Sequence, residues 1–376
     1  MDLIHADASG YPIQVLDYDI DFQVGTSNTF EMAVPYTDYV ECIVGVGQGI
    51  ELGHRIYLRD YDENSLGNEF GGIVTEIDIQ TENNQVFYRG TTWRGLLDRN
   101  YVIPPTTSAS DGYYHTLSGD VNTSFDDIIS KFFATRSTTG EELYILNGDD
   151  LSGIGCESVQ LPRFCTITEA LWQILSDTER GDRFLFPKVR YKEIFPDGSN
   201  QIKGYLNVYG EPITLHSTHV TDGGDNGGDD AIIQKYEQIT NVIIGLGSGE
   251  LKNRTVIYAY MDREQTVDTP TYTKNIDNSP LKAADRGYVV SETLDYSGAT
   301  EAELFQSASE RLLELERHDT YELNPRDDLW RYAIGDMVGI TDHRLGYDSA
   351  FQQVTEIILK RVNMELSEQY VFKEIL

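Results

Sequence analysis

His216, His219 and Asp222 come nearest to a metal-binding triplet in this chain. An i, i+3 histidine pair converges on one ion when it lies on a helix, and the preceding Pro212-Ile213-Thr214-Leu215 reads as strand or loop. A pair of loop histidines is the favoured reading. The stretch Asp222 to Asp230 offers Asp oxygens among glycines, a composition that suits calcium. It lacks EF-hand spacing, the closing Glu and any nonapeptide repeat, and reads as a flexible acidic linker. Gly45-x-Gly47-x-Gly49 and Gly245-x-Gly247-x-Gly249 invite comparison with phosphate loops. Neither is Gly-x-Gly-x-x-Gly between strand and helix, and neither ends in Gly-Lys-Ser/Thr. Tight turns or close backbone approach explain them better. Lys188, Arg190 and Lys192 alternate along one strand with Tyr191 on its other face, a weak nucleic-acid signal and more simply a solvated strand.

Cys42, Cys156 and Cys165 show no CxxC or Cys/His spacing and are expected as buried free thiols. No nucleophile elbow or HExxH motif is present. Carboxylate pairs of the glycosidase kind stay open, since sequence does not give the separation of any two of the 62 acids. The sequence assigns no catalytic, cofactor-binding or metal residue.

The bulk properties narrow the class. At 376 residues the length prior is roughly two to three domains. Apolar residues at 40% and aromatics at 11%, with 24 Tyr, indicate a globular, β-leaning chain. The formal net charge of −33 opposes binding to phosphate backbones or anionic lipid. It suits a surface that nucleic acid passes without sticking, or simply a generally acidic proteome. Met1-Asp2-Leu3-Ile4-His5 lacks a basic and an apolar signal region, and no run reaches the length of a membrane span. A soluble product of a reducing cytoplasm is expected.

Self-similarity organises the elements. Gly335-Asp336-Met337-Val338-Gly339-Ile340-Thr341-Asp342 repeats the pattern of Gly53-His54-Arg55-Ile56-Tyr57-Leu58-Arg59-Asp60. Val354-Thr355-Glu356-Ile357 then matches Val74-Thr75-Glu76-Ile77 letter for letter, with Phe351 and Phe70 upstream and with Val371-Phe372 and Val86-Phe87 downstream. One small β module is used twice. Alternation of Leu16, Tyr18, Ile20 and Phe22 with Asp17, Asp19 and Asp21 predicts a half-buried strand, and Phe30, Met32 and Val34 predict another, stopping at Pro35. Ser124 is expected to cap a helix burying Phe125, Ile128, Ile129, Phe132 and Phe133, with Asp127 in its first turn. A second helix from Thr166 or Thr168 buries Ile167, Leu171, Ile174 and Leu175 and stops at Gly181. A hairpin from Phe184 to Ile194 and Ile202 to Tyr209 turns at Pro196-Asp197-Gly198. A capping box at Thr300 and Glu303 opens a helix with Leu304, Phe305, Ala308, Leu312 and Leu315 on its core face. The expected division is a β module at 1–95, an α+β insert at 96–220 and an acidic linker at 221–235. A second β module at 236–262 and 330–376 is interrupted by an irregular, helical insertion at 263–329.

Phe70-Gly71-Gly72-Ile73-Val74-Thr75-Glu76-Ile77, then Tyr88-Arg89-Gly90-Thr91-Thr92-Trp93-Arg94-Gly95-Leu96-Leu97, and the Gly335 strand after a long helix carry a resemblance. Through them the chain resembles the central hub proteins of bacteriophage tail tips and baseplates, including the N-terminal hub region of tail-associated lysins. The resemblance spans essentially the whole chain on soft, non-catalytic motifs. It implies an α+β, mainly β fold: two tail-tube-like barrel or sandwich modules with α+β insertions. It also implies a homotrimer in the virion tail tip, assembled in the bacterial cytoplasm, that adapts a six-fold tube to a three-fold tip. The implied partners are a distal tail ring or tail tube, a tape-measure protein and tip fibres or receptor-binding proteins, with DNA passing through. With the chain ending at Leu376, the lytic domain of relatives is expected to be absent, and no enzyme activity is assigned. A cell-wall glycan-degrading tail enzyme and a carbohydrate-binding adhesion module are the alternatives.

Overall fold

The computed structural model describes residues 1–45, 49–59, 68–102, 115–133, 144–145, 152–161, 165–176, 185–195, 200–221, 231–236, 240, 242–249, 253–260, 271–273, 290–314, 318–323, 332–342 and 347–373. The chain is mainly β with few helices and divides into two compact units, Met1–Ile232 with Glu322–Leu376, and Ile233–Tyr321.

A 13-stranded sheet is built mostly from residues of the first unit, with the edge strands at 231–236 and 318–323 straddling the boundary in sequence. From one edge its strands run Ala231–Tyr236, His318–Leu323, Glu365–Lys373, Tyr347–Val362, Asp19–Val24, Thr29–Pro35, Gln85–Thr92, Gly71–Gln80, Arg55–Arg59, Asp2–Ala6 and Pro12–Leu16. Met337–Asp342 and Leu215–Thr221 join it beside Tyr347–Val362. Alternation sets the two faces, as expected. Ile20, Phe22, Phe30, Met32 and Val34 are buried, while Asp19 and Glu31 point to solvent. The repeated segment forms two antiparallel meanders: Arg55–Arg59, Gly71–Gln80 and Gln85–Thr92, then Met337–Asp342, Tyr347–Val362 and Glu365–Lys373. Both meanders belong to one sheet. Ile357 to Arg361 pair with Val24 to Ile20 and weld the second meander onto the first. Periodicity identifies a strand but not its neighbour, so this joint was invisible in the sequence.

The α+β insert packs on the sheet's first half. Ile4, Ala6, Tyr57, Trp93 and Leu97 share one core with Val121, Phe125, Ile128, Ile167, Leu171, Ile174, Leu185 and Leu206. The first insert helix is Val121–Ile128 and is capped by Asp120, whose carboxylate accepts the Asn122 N–H at 2.8 Å. Ser124, expected as the cap, lies inside the helix, buried beside Cys156 Sγ at 3.3 Å. The second, Ile167–Ser176, has a full capping box: Thr166 N–H donates to Glu169 and Glu169 N–H to Thr166 Oγ1. Strands Leu185–Ile194 and Lys203–Pro212 make the expected hairpin. Cys156 and Cys165 are buried free thiols.

In the second unit, Val242–Leu246 pairs antiparallel with Val256–Tyr260 and parallel with Ser291–Asp295; Thr271–Thr273 extends the sheet. Helix Glu301–Glu314 starts at the expected Thr300/Glu303 box and lays Leu304, Ala308 and Leu312 on Ile243, Ile257 and Ala259. A side chain at Gly245 or Gly247 would strike Leu304, so this glycine motif serves close helix–strand approach. Residues 46–48, 222–230, the turn at 196–198, Gly181, Leu315 and the side chains of Cys42 and His219 lie outside the described residues.

The equivalent glycines Gly53 (φ +85°) and Gly335 (φ +93°) yield a test. Gly53 faces open space, whereas a methyl group on Gly335 would overlap the Phe186 ring. Gly53→Ala should cost about 1–2 kcal/mol, the left-handed penalty alone. Gly335→Ala should add a further ~1–3 kcal/mol of overpacking. Denaturant unfolding of the two variants checks the difference, and equal costs would contradict the packing described.

Candidate functional site

The feature that sets this chain apart is the pair of matched turns opening the meanders. Gly53 N–H donates to Val74 O at 2.8 Å, and Val74 N–H to His54 O at 2.9 Å. In the second copy Gly335 N–H donates to Val354 O at 2.8 Å and Val354 N–H to Asp336 O at 2.9 Å. Immediately after each valine the register slips, between Val74 and Glu76 and between Val354 and Glu356, so Thr75 and Thr355 occupy matching β-bulges. The shared tetrapeptide thus encodes a bulge that re-aims the strand beyond it. Ile56 and Val338, Leu58 and Ile340, and Val74 and Val354 are buried in both copies.

Each turn is also held by a histidine from a flanking strand. His5 lies in register with Ile56, and its Nε2 meets His54 Nδ1 at 2.9 Å. His216 lies in register with Val338, and its Nε2 meets the Asp336 carboxylate at 2.7 Å. One flanking strand runs antiparallel and the other parallel to its meander, so no linear pattern announced the match. His216 is therefore engaged by Asp336, while the His219 side chain and Asp222 lie outside the described residues. Among the described residues no group of His, Cys, Asp and Glu is arranged for a metal ion.

Two details of the sequence repeat shift. Tyr88 and Tyr370, both buried, stand opposite Ile77 and Ile357, so Val86-Phe87 is not the counterpart of Val371-Phe372. Phe70 is buried at 5% exposure while Phe351 is 37% exposed, so these phenylalanines are not equivalent either. Apolar residues recur every second position along a strand, so the linear pattern alone does not fix which of them correspond.

The insert hairpin clasps both meanders. Arg55 donates to Tyr191 Oη at 3.0 Å and to Gly204 O at 2.9 Å, and Trp93 stacks on the Tyr191 ring at 4.4 Å. Glu193 takes a bidentate pair from Arg59 at 2.6 and 2.7 Å and a short bond from Tyr57. On the second meander's side Lys188 donates to Ile334 O, and Phe186 covers Gly335. Lys188 is 2% exposed, with Glu69 and Glu211 about it, so the expected solvated basic strand is a buried ionic brace. Burial pushes the Lys188 ammonium below its ordinary pKa. Arg190 pairs with Glu211 at 2.9 Å.

The sheet's opposite face carries a charged row across five strands. Lys360, Asp21, Glu31, Arg89 and Glu76 stand in consecutive register, with Lys360–Asp21 at 3.6 Å, Glu31–Arg89 at 2.5 Å and Arg89–Glu76 at 2.9 Å. Within the described residues no helix is long and apolar enough to cross a membrane. This geometry offers a repeated, backbone-built scaffold with a charged outer face.

No protein-family model and no curated protein matches the chain. Solved structures do. The 43 kDa tail protein of prophage MuSo2 from Shewanella oneidensis superposes with a TM-score of 0.50 at 12% identity, over 100% of this chain and 98% of that one. A tail protein from Neisseria meningitidis matches with TM-score 0.47 at 12% identity, over 99% and 96%. A chain of the phage P2 baseplate in its activated conformation matches with 0.45 at 10%, over 99% and 98%. The likeness to the Shewanella protein is one of fold along the full length.

The histidine of the first turn predicts a pH dependence. Burial first, and the neighbouring His54 second, lower the His5 pKa from 6.5 to about 4. The unfolded chain then binds more protons between those values, so stability falls as pH drops from 6.5 toward 4, by about 3 kcal/mol over the window. Unfolding free energies measured across that range should show a shallower slope for His5→Gln than for the parent chain. Parallel slopes would remove His5 from the account.

Proposed function

We propose that this protein is a structural component of a phage tail tip or baseplate, the trimeric hub through which DNA leaves. The observation that carries the reading is the duplicated meander, matched in glycine, bulge and histidine yet placed in one continuous sheet. A chain holding two equivalent faces lets three copies present six. Such a ring docks on a six-fold tail tube or distal tail ring while its other end stays three-fold. The full-length fold likeness to a prophage tail protein supports the same assignment. Tape-measure protein on the axis and tip fibres or receptor-binding proteins below are the partners this position implies, and the protein resides in the virion. The charged face with Asp19, Asp21 and Glu31 is assigned to the channel wall, where fixed negative charge repels DNA phosphates.

A density map of the assembled tail tip tests the reading. It should show three copies about the axis with both meanders at one radius. A peripheral position or six copies would overturn it, and clearing of cell wall on a zymogram by the purified chain would replace it with an enzyme. Virions carrying Asp19→Lys and Glu31→Lys should release DNA more slowly, the lag growing at low salt where screening is weakest. Unchanged ejection would remove the channel assignment.

A further inference from the structure

Lys188 gathers three remote stretches of the first unit about one nitrogen. It stands on the first strand of the insert hairpin, and its Nζ donates to the Ile334 carbonyl just ahead of the second meander. The same nitrogen faces Glu69 at 4.0 Å and Glu211 at 3.9 Å, both too far for a direct hydrogen bond. Glu69 leads into Gly71–Gln80 of the first meander. Asn68 beside it exchanges both backbone hydrogen bonds with Tyr191, which holds the acid against the hairpin. The Glu69 side chain is 10% exposed, and its Oε1 is buried with no hydrogen-bond partner among the described residues. Tyr209 stands opposite Lys188 across the hairpin, and its buried hydroxyl is unpartnered in the same way. The Phe186 ring, centred 5.4 Å from Nζ, closes the site with an apolar wall.

A dry ion pair at this separation contributes little, because desolvation offsets the attraction. The same surroundings favour a different outcome. Proton transfer from the ammonium to Glu69 leaves a neutral amine facing a neutral carboxyl, the two forms that condense. Burial lowers the Lys188 pKa, with Arg94 adding to it and Glu69, Glu211 and Asp336 opposing, and so favours the amine. Burial likewise raises the Tyr209 pKa, against Arg190 and with Glu211 and Glu69, so the phenol stays a donor. Glu211 is held in place by Arg190 at 2.9 Å.

We infer that Lys188 and Glu69 join in an amide bond, formed by the folded chain itself with release of one water. The Nζ lone pair attacks Glu69 Cδ and the C–N bond forms, while the Tyr209 hydroxyl donates to the oxygen that gains charge. Glu211 takes a proton from the nitrogen and passes it to the departing hydroxyl, which leaves as water when the C–O bond breaks. Nothing is oxidised or reduced, and no further reactant enters. Fixing the two groups side by side in the fold supplies the proximity that the reaction lacks in an open chain. The bond fastens the insert hairpin to the first meander. Cys156 and Cys165 are free thiols, so this tie, unlike a disulfide, is indifferent to reductant. It stands independently of the hub reading.

Mass spectrometry of the intact full-length chain tests it. The denatured parent should weigh one water less than its sequence, and peptide sequencing should find a branched peptide joining Lys188 to Glu69. Lys188→Met and Glu69→Ala should each restore the full mass. If either variant fails to fold, the branched peptide of the parent still decides. Glu211→Gln should keep the parent's circular dichroism and slow the loss of water by about 100-fold. A parent chain still at full mass after long incubation in the folded state overturns the bond and leaves an ionic brace. A missing water that persists in Lys188→Met belongs to succinimide formation at Asp197-Gly198 or Asp222-Gly223 and overturns it equally. A branch from Lys188 to Glu211 overturns the assignment of Glu69.

Discussion

The backbone pairing of Ile357 to Arg361 with Ile20 to Val24 is the joint on which the rest of the first unit depends. It spans more than three hundred residues of sequence and turns two small meanders into one sheet. By covering the edge of the second meander it takes Ile357 and Leu359 out of water. It also fixes what can lie beside it. Gly25 must be glycine because the Thr355 carbonyl of the bulge fills the space where a side chain would stand. Arg361, buried at the end of the joint, donates to the Tyr18 carbonyl at 2.9 Å and to Asp17 at 3.2 Å.

The insert hairpin ties the two meanders together near their opening turns. Buried cations contribute little net stability, because desolvation offsets their Coulomb attraction, but removing one partner leaves an uncompensated charge. Lys188 at Ile334 and Arg55 at Tyr191 therefore define where the hairpin sits more than how tightly it holds. Most of the adhesion comes from Trp93, Tyr57 and Tyr191, whose rings lie against one another. Both meanders meet the same hairpin.

The outer face has a different economy. Lys360, Asp21, Glu31, Arg89 and Glu76 form exposed pairs of small individual worth. Desolvation still raises the Asp21 carboxyl above its ordinary pKa, against the pull of Lys360. On this face the cations Lys360 and Arg89 are locally matched by acids.

Much of this architecture was legible in the sequence. Strands follow from period-two alternation at 20–22 and 30–34, whereas the alternation expected from Leu16 onward crosses a break at Asp17 and Tyr18 between two strands. Two helix starts follow from the threonines at 166 and 168 and from the Thr300/Glu303 capping box, and the duplication follows from a tetrapeptide that encodes a bulge. All of these are local: backbone dihedrals, capping bonds and face alternation are decided within a few residues. The tertiary structure alone decided which strand lies next to which. It put Lys188 under cover, sent His216 to Asp336, matched Tyr88 rather than Phe87 to the second copy, and joined the second meander to Asp19–Val24. Each of these depends on a partner remote in sequence, and a strand's own residues specify that it will pair without specifying with whom.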